Sequence, residues 1–220
     1  MSTEKTRAPE GIQTAGDTDV KGVNMAYRDL REWLAEAEKL GEVKTVKGAS
    51  WEREIGMAAE LVLRDDKAPC LVFDEIPGYP KGFRVLTNFF GGKRMNMTLG
   101  FPTGLSKLEL TDAHFAYQVE GNPTIPYEIV DDGPVFENVL EGDAIDVTKF
   151  PTPIWHEHDG GRYFGTGSYD VTQDPDSDWI NVGCYRVMVQ NEKEVNIYMS
   201  PGKHGRIHRD KFEERGERMP

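Results

Sequence analysis

Asn181 and His204 stand 23 positions apart (204 − 181 = 23), and their side chains supply an amide oxygen and an imidazole nitrogen. Those two donors suit a divalent cation that tolerates both oxygen and nitrogen, such as manganese. The runs 181–190 and 194–200 read as adjacent strands turned at Asn191, which would return one end beside the other. Two protein ligands do not close a site. A carboxylate and a phosphate oxygen would complete it, and Lys203 could hold the same phosphate as a point charge. The same residues are also what an ordinary polar loop contains. Arg186 sits in a strand-like run, where its guanidinium could fork a carboxylate through two hydrogen bonds, a geometry lysine cannot reproduce. It could equally serve as a surface partner for one of the 38 acidic residues. His156 and His158 would share one face of an extended strand and could bind a metal, but Gly160-Gly161 argues for a turn there. Gly91-Gly92-Lys93-Arg94 lacks the spacing of a phosphate-binding P-loop, and Gly165-Thr166-Gly167 lacks the six-position dinucleotide pattern.

Composition narrows the chemistry further. The 220 residues carry 26 Lys+Arg against 38 Asp+Glu, a net charge of −12, so long-range electrostatics oppose nucleic acid as a main partner. That acidity leaves a phosphate ligand open, because a bound divalent cation inverts the sign of one pocket. Cys70 and Cys184 are the only cysteines, too few for a disulfide framework or a four-cysteine zinc site. No apolar run reaches the length of a membrane span and the first 25 residues lack the apolar core of a secretory signal, so a cytoplasmic location is expected.

The elements that must position these residues divide into a helix-rich and a strand-rich half. Residues 1–24 read as a flexible lead-in. In 25–121, Leu30, Trp33, Leu34, Ala37 and Leu40 mark one helical face closed by Gly41. A second helix is expected over Trp51–Arg64 behind a Ser50 cap, with Ile55, Ala58, Ala59 and Val62 inward, and a third around Asp112–Glu120. Cys70–Phe73 and Phe83–Leu86 read as buried strands. The proline- and glycine-rich segment after Gly121 places a domain boundary there. In 122–220 a β-meander is expected over Tyr163–Thr172, Asn181–Gln190 and Glu194–Ser200, then a short surface helix near Asp210–Arg215.

Several blocks in this order resemble the UbiD-type decarboxylases, which use prenylated FMN. They are Asp29–Leu34 with Gly41-Glu42-Val43, Asn88–Gly92, Pro153–Tyr163, Asn181–Arg186 and Pro201–Gly205, and the likeness covers about Tyr27 to Pro220. The resemblance implies an α+β fold, with an N-terminal α/β domain (25–121) followed by a split β-barrel flavin-binding domain (122–220) and the family's C-terminal part absent. It implies that Asn181 binds both metal and cofactor phosphate and that His204 lies at the same metal. Thr166, Cys184, Tyr185, Arg186, Met199, Ser200 and Lys203 would line or wrap the cofactor, with Arg186 also orienting the substrate carboxylate. The implied cofactors are prenylated FMN, Mn2+ or a similar divalent metal, and K+ as a further cation. The implied reaction is reversible non-oxidative decarboxylation of a small aromatic or α,β-unsaturated carboxylic acid to carbon dioxide, in a homodimer or homohexamer.

Members of that family are longer, and the acidic metal ligand and proton donor are expected beyond Pro220, which makes this chain the front part of the enzyme or a small separate subunit. Two rival readings stand beside it: a flavin-binding or assembly subunit without catalysis of its own, and a metal-dependent hydrolase built on His156, His158 and His204. On the family reading, the 220 residues supplied with prenylated FMN and Mn2+ should show no measurable turnover of aromatic acids, and carbon dioxide release above the cofactor-only control would contradict it.

Overall fold

The computed structural model of the chain describes residues 25–65, 67–119, 129–165 and 168–219. The expected lead-in, the segment just after Gly121 and Thr166 lie outside them. Two compact units emerge: one holds the residues up to Val46, Ala59–Val72 and Leu86–Glu137, the other Lys47–Ala58, Phe73–Val85 and Asn138–Pro220. Among the described residues the elements run α1 (Leu30–Lys39), β1 (Val43–Lys47), α2 (Glu54–Leu63), β2 (Cys70–Asp74), β3 (Val85–Thr87), α3 (Gly92–Thr98) and α4 (Lys107–Val119). After three short 3-10 turns follow β4 (Tyr163–Gly165), β5 (Asp170–Gln173), β6 (Ile180–Gly183), β7 (Arg186–Val189), β8 (Val195–Tyr198) and α5 (His204–Glu214). No described helix is long and apolar enough to cross a membrane.

In the first unit, Asp29 caps α1 by accepting from the Glu32 N–H at 2.9 Å, and Gly41 ends the helix in the left-handed region at φ +71°. Trp33 and Ala37 are fully buried, while Leu30 is exposed. Trp33 stacks on Phe89 with ring centroids 4.1 Å apart, and its indole N–H donates to Thr98 Oγ1 at 2.8 Å, so the apolar body and the polar edge are both satisfied. Strands β1, β2 and β3 form one sheet in that order, and Cys70 to Phe73 are all buried. Burial pushes the Cys70 thiol up, away from the thiolate form.

Three features of this half depart from the sequence reading. β1 and α3 are elements where the sequence shows no apolar periodicity, and α2 begins at Glu54, three residues after the expected start. Ser50 nonetheless acts at that terminus, its Oγ accepting from the Glu52 N–H and its own N–H donating to the Glu54 carboxylate at 2.7 Å. Phe115 and Val119 of α4 are both exposed. The reason for α3 is Arg94. Its fully buried guanidinium pairs with Glu42 at 2.5 Å and donates to the Ala68 carbonyl at 2.9 Å, so a charge joins the single buried Met97 in anchoring a helix that has no apolar stripe.

The strand-rich unit also differs in detail. The run 181–190 is not one strand: β6 pairs antiparallel with β5, whereas β7 lies between β4 and β8 in a separate sheet. The break falls at Cys184-Tyr185, where the buried Tyr185 ring folds back over Gly183 and the Tyr185 N–H donates to Asp170 Oδ2 at 3.2 Å. Tyr163–Thr172 is likewise divided between β4 and β5. The expected hairpin holds as β7 and β8, with Arg186 opposite Tyr198 and Val189 opposite Val195. The closing helix opens at His204 rather than near Asp210 and buries Gly205 and His208. Residues 150–163 are gathered by Arg162, which donates to the Thr152 and Phe150 carbonyls at 2.9 Å each, bonds the Tyr79 hydroxyl and lies over the Trp51 ring at 4.2 Å.

Arg94→Met would leave Glu42 and the Ala68 carbonyl without their buried partner. Urea denaturation should show a loss of about 3 kcal/mol, the low end of the range for breaking a buried ion pair, because Glu42 keeps some access to water.

Candidate functional site

Asn181 lies in β6 opposite Thr172 of β5, and both side chains are buried. Its carboxamide nitrogen donates to Thr172 Oγ1 at 3.2 Å and to the Tyr185 hydroxyl at 3.3 Å. The same hydroxyl accepts the Gly205 N–H at 2.9 Å, in the first turn of α5. Asn181 and the His204-Gly205 segment therefore meet at one phenol oxygen. The link is the Tyr185 side chain and α5, not the return of a hairpin formed by 181–190 and 194–200.

Two glycines make that approach possible. A Cβ on Gly183 would lie 2.3 Å from the Tyr185 ring, and one on Gly205 would lie 2.7 Å from its hydroxyl. Neither position admits a side chain while the ring stays in place. The backbone of Tyr185 is held as well, its carbonyl accepting from Ser168 Oγ at 2.8 Å.

His204 is the first residue of α5 and is exposed, with its ring edge-on to Trp179 at 4.7 Å between centroids. Lys203 precedes it as the helix cap and is exposed, and its N–H closes a turn onto the Ser200 carbonyl. Met199 is buried, Ser200 half-buried and Cys184 exposed. Arg186 begins β7 on the exposed face, and among the described residues no carboxylate pairs with it. The surface ion-pair alternative for Arg186 thus finds no partner there. Thr166 lies outside the described residues.

The histidines of 156–158 stand on a turn rather than a strand. The His156 N–H donates to Asp159 Oδ2 at 2.9 Å, and both rings are exposed. Among the described residues no group of three or more His, Cys, Asp and Glu side chains could hold a metal, which removes the support for a hydrolase built on His156, His158 and His204.

Asn181 and His204 carry an amide oxygen and an imidazole, donor types that a divalent cation accepts. The carboxamide nitrogen is engaged by hydroxyls, so the oxygen is the atom left to face a metal, and an imidazole stands at the helix start that shares Tyr185. Both donors are neutral.

Sequence reasoning missed the residues behind this pair. His208, fully buried one turn along α5 from His204, brings Nδ1 within 3.0 Å of Thr172 Oγ1. Its Nε2 lies 3.8 Å from Asp174 Oδ2. The Lys211 ammonium at 2.6 Å, and then the Asp176 N–H, hold the Asp174 carboxyl below the ordinary aspartate range. The i, i+4 spacing of His204 and His208 was the available signal, but it becomes informative only once α5 is known to begin at His204.

Comparison with known proteins bears on the whole chain. The family model for the N-terminal domain of 3-octaprenyl-4-hydroxybenzoate carboxy-lyase (UbiD) matches residues 34–113, and that for its Rift-related domain matches residues 128–220. Pyrrole-2-carboxylic acid decarboxylase of Pseudomonas aeruginosa is 28% identical over 207 residues, covering 90% of this chain and 41% of that protein. The closed form of Sedimentibacter hydroxybenzoicus vanillic acid decarboxylase superposes with a TM-score of 0.78 at 27% identity, over 88% of this chain and 41% of that one. An evolved dimeric form of the UbiD-class enzyme HmfF from Pelotomaculum thermopropionicum, in complex with prFMN, gives a TM-score of 0.70 at 29% identity, over 86% and 42%. The chain spans about two fifths of the length of these relatives.

Tyr185→Phe keeps the ring between the two glycines but removes the oxygen that serves Gly205 and Asn181. With the buried Gly205 N–H unmatched and the Asn181 NH2 left with Thr172 Oγ1 alone, chemical denaturation should show a loss of about 1–3 kcal/mol, and an unchanged midpoint would contradict this account of the hydroxyl.

Proposed function

The chain belongs to the UbiD carboxy-lyase family, and on that premise we propose that it binds prenylated FMN and a divalent metal for the reversible, non-oxidative decarboxylation of an aromatic or α,β-unsaturated carboxylic acid. The α+β fold expected from the sequence agrees with the superposed UbiD-class structures. The observation that carries the reading is the convergence of Asn181 and the His204-Gly205 turn on the Tyr185 hydroxyl. Asn181 and the backbone of the His204-Gly205 turn share one hydroxyl, and the His204 ring lies beside that turn against Trp179.

In this reading Asn181 and His204 hold Mn2+, and Lys203 neutralises the cofactor phosphate as a point charge. When bound, prenylated FMN supplies a dipolar ring that bonds the substrate and takes up electron density as carbon dioxide leaves. The chain's own contribution is positioning. Thr166, Cys184, Tyr185, Met199 and Ser200 surround the flavin, and Tyr185 fixes the turn that carries Cys184 and leads into Arg186 at the start of β7. Arg186 is exposed and unpaired with any described carboxylate, so its fork is available to orient the substrate's carboxylate for loss of carbon dioxide. A boundary near residue 122 belongs to the same proposal, supported by the interval between the two family matches, 34–113 and 128–220. So do homo-oligomeric assembly and a cytoplasmic location.

Absorbance titration of the chain with prenylated FMN and Mn2+ tests the reading. Asn181→Ala and His204→Ala should each weaken Mn2+-dependent flavin binding at least tenfold, on the order of 1.4 kcal/mol. The double variant His156→Ala/His158→Ala should bind as the parent does. Equal binding by all variants would refute the assignment of the metal donors, and loss confined to the His156/His158 variant would move the donors to that turn.

A further inference from the structure

Asp174, His208 and Thr172, which run in a buried chain to Asn181, are not used by any role assigned so far. Asp174 Oδ2 stands 3.8 Å from His208 Nε2, His208 Nδ1 stands 3.0 Å from Thr172 Oγ1, and Thr172 Oγ1 stands 3.2 Å from Asn181 Nδ2. His208 is fully buried, and the Asp174, Thr172 and Asn181 residues are each less than a tenth exposed. Among the described residues His208 Nε2 is buried without a hydrogen-bond partner, and the Asp174 Oδ2 that faces it also accepts from the Lys211 ammonium at 2.6 Å. Trp179 covers the ring edge-on at 4.6 Å.

These contacts can be satisfied in two senses, and the carboxylate chooses between them. A carboxylate facing Nε2 favours a hydrogen on that nitrogen, because the other tautomer would set a lone pair against a negative charge. With its hydrogen on Nε2, the imidazole can only accept at Nδ1, so the Thr172 hydroxyl must donate to it. The Thr172 oxygen is then left to accept, which requires the Asn181 NH2 rather than its carbonyl to face it. The carboxamide oxygen is thereby turned away from the hydroxyls. The opposite sense would place the amide oxygen against Thr172 and Tyr185 and present an NH2 group, which cannot ligate a cation.

We propose that Asp174, His208 and Thr172 are positioning residues that set the flip of the Asn181 carboxamide and so aim its oxygen at the metal. The inference rests on the reading of Asn181 as a metal donor. Partners of this outer-shell kind orient a ligand through its second polar atom, and their loss commonly costs about 10–100-fold in metal affinity.

The test pairs Mn2+ binding with a direct view of the imidazole. In the full chain with FMN present, free Mn2+ is followed by electron paramagnetic resonance, and His208 is followed by 15N NMR. The parent should bind Mn2+ and carry its imidazole hydrogen on Nε2. Thr172→Val should weaken Mn2+ binding about tenfold or more, Thr172→Ser should restore it, and Asp174→Asn should shift hydrogen from Nε2 towards Nδ1 and weaken binding in step. A parent that does not bind Mn2+ overturns the metal reading of Asn181 and this inference with it. A parent that binds, with Thr172→Val and Asp174→Asn binding equally well, overturns the inference alone. Should Thr172→Val fail to fold, an imidazole hydrogen found on Nδ1 in the parent is sufficient to overturn it.

Discussion

The strand-rich unit depends on where one phenol oxygen is held. Tyr185 is buried, its ring fills the space left by two residues without side chains, and its hydroxyl takes hydrogen bonds from a strand side chain and from a helix backbone. Its own backbone is fixed on both sides, through Asp170 and Ser168. β6 and β7 belong to different sheets, and α5 lies against β5 and β6. Asn181, Cys184, Arg186 and His204 stand on β6, the turn after it, β7 and α5, so their mutual placement depends on the packing around Tyr185. In a low-dielectric setting each of these hydrogen bonds is costly to lose, which gives the arrangement a defined geometry instead of a family of loose ones.

Arginine plays a comparable part at two places where the sequence offers little apolar material. Arg94 anchors α3 in the first unit by pairing with Glu42 and the Ala68 carbonyl. Arg162, in the second, ties a proline-rich segment through two carbonyls and a tyrosine hydroxyl while stacking on Trp51. Both use the several fixed donors of a guanidinium, which a lysine ammonium cannot distribute in the same plane. They leave Arg186, on the exposed face of β7, as an arginine that the described fold does not consume.

The sequence made some of this legible and concealed the rest for identifiable reasons. Trp33 and Ala37 show their burial by spacing, Gly41 announces a helix end, and Cys70–Phe73 reads as a buried strand because it is short, apolar and bounded by turn residues. α3 is invisible to that kind of reading, since its anchor is a charged side chain. The division at Cys184-Tyr185 is hidden too: the run Asn181–Gln190 alternates well enough to pass for one strand, and only the tertiary demand that Tyr185 fold inward breaks it. Asn181, Arg186 and His204 stood out by residue type. Thr172, Asp174 and His208 did not, because a buried threonine and an aspartate in a turn become meaningful only when three-dimensional contact joins them to an asparagine from another strand.

Gly183, Tyr185 and Gly205 also form a single unit of variation. A methyl group at either glycine is incompatible with the ring, whereas a small residue at 185 would leave room for one at 183 or 205. The three positions are therefore constrained to change together: a substitution at one alters which residues the other two accept, and the costs of single changes will not sum to the cost of the combined change. Two glycines that look like ordinary turn residues are, in this chain, the imprint of a neighbouring aromatic ring.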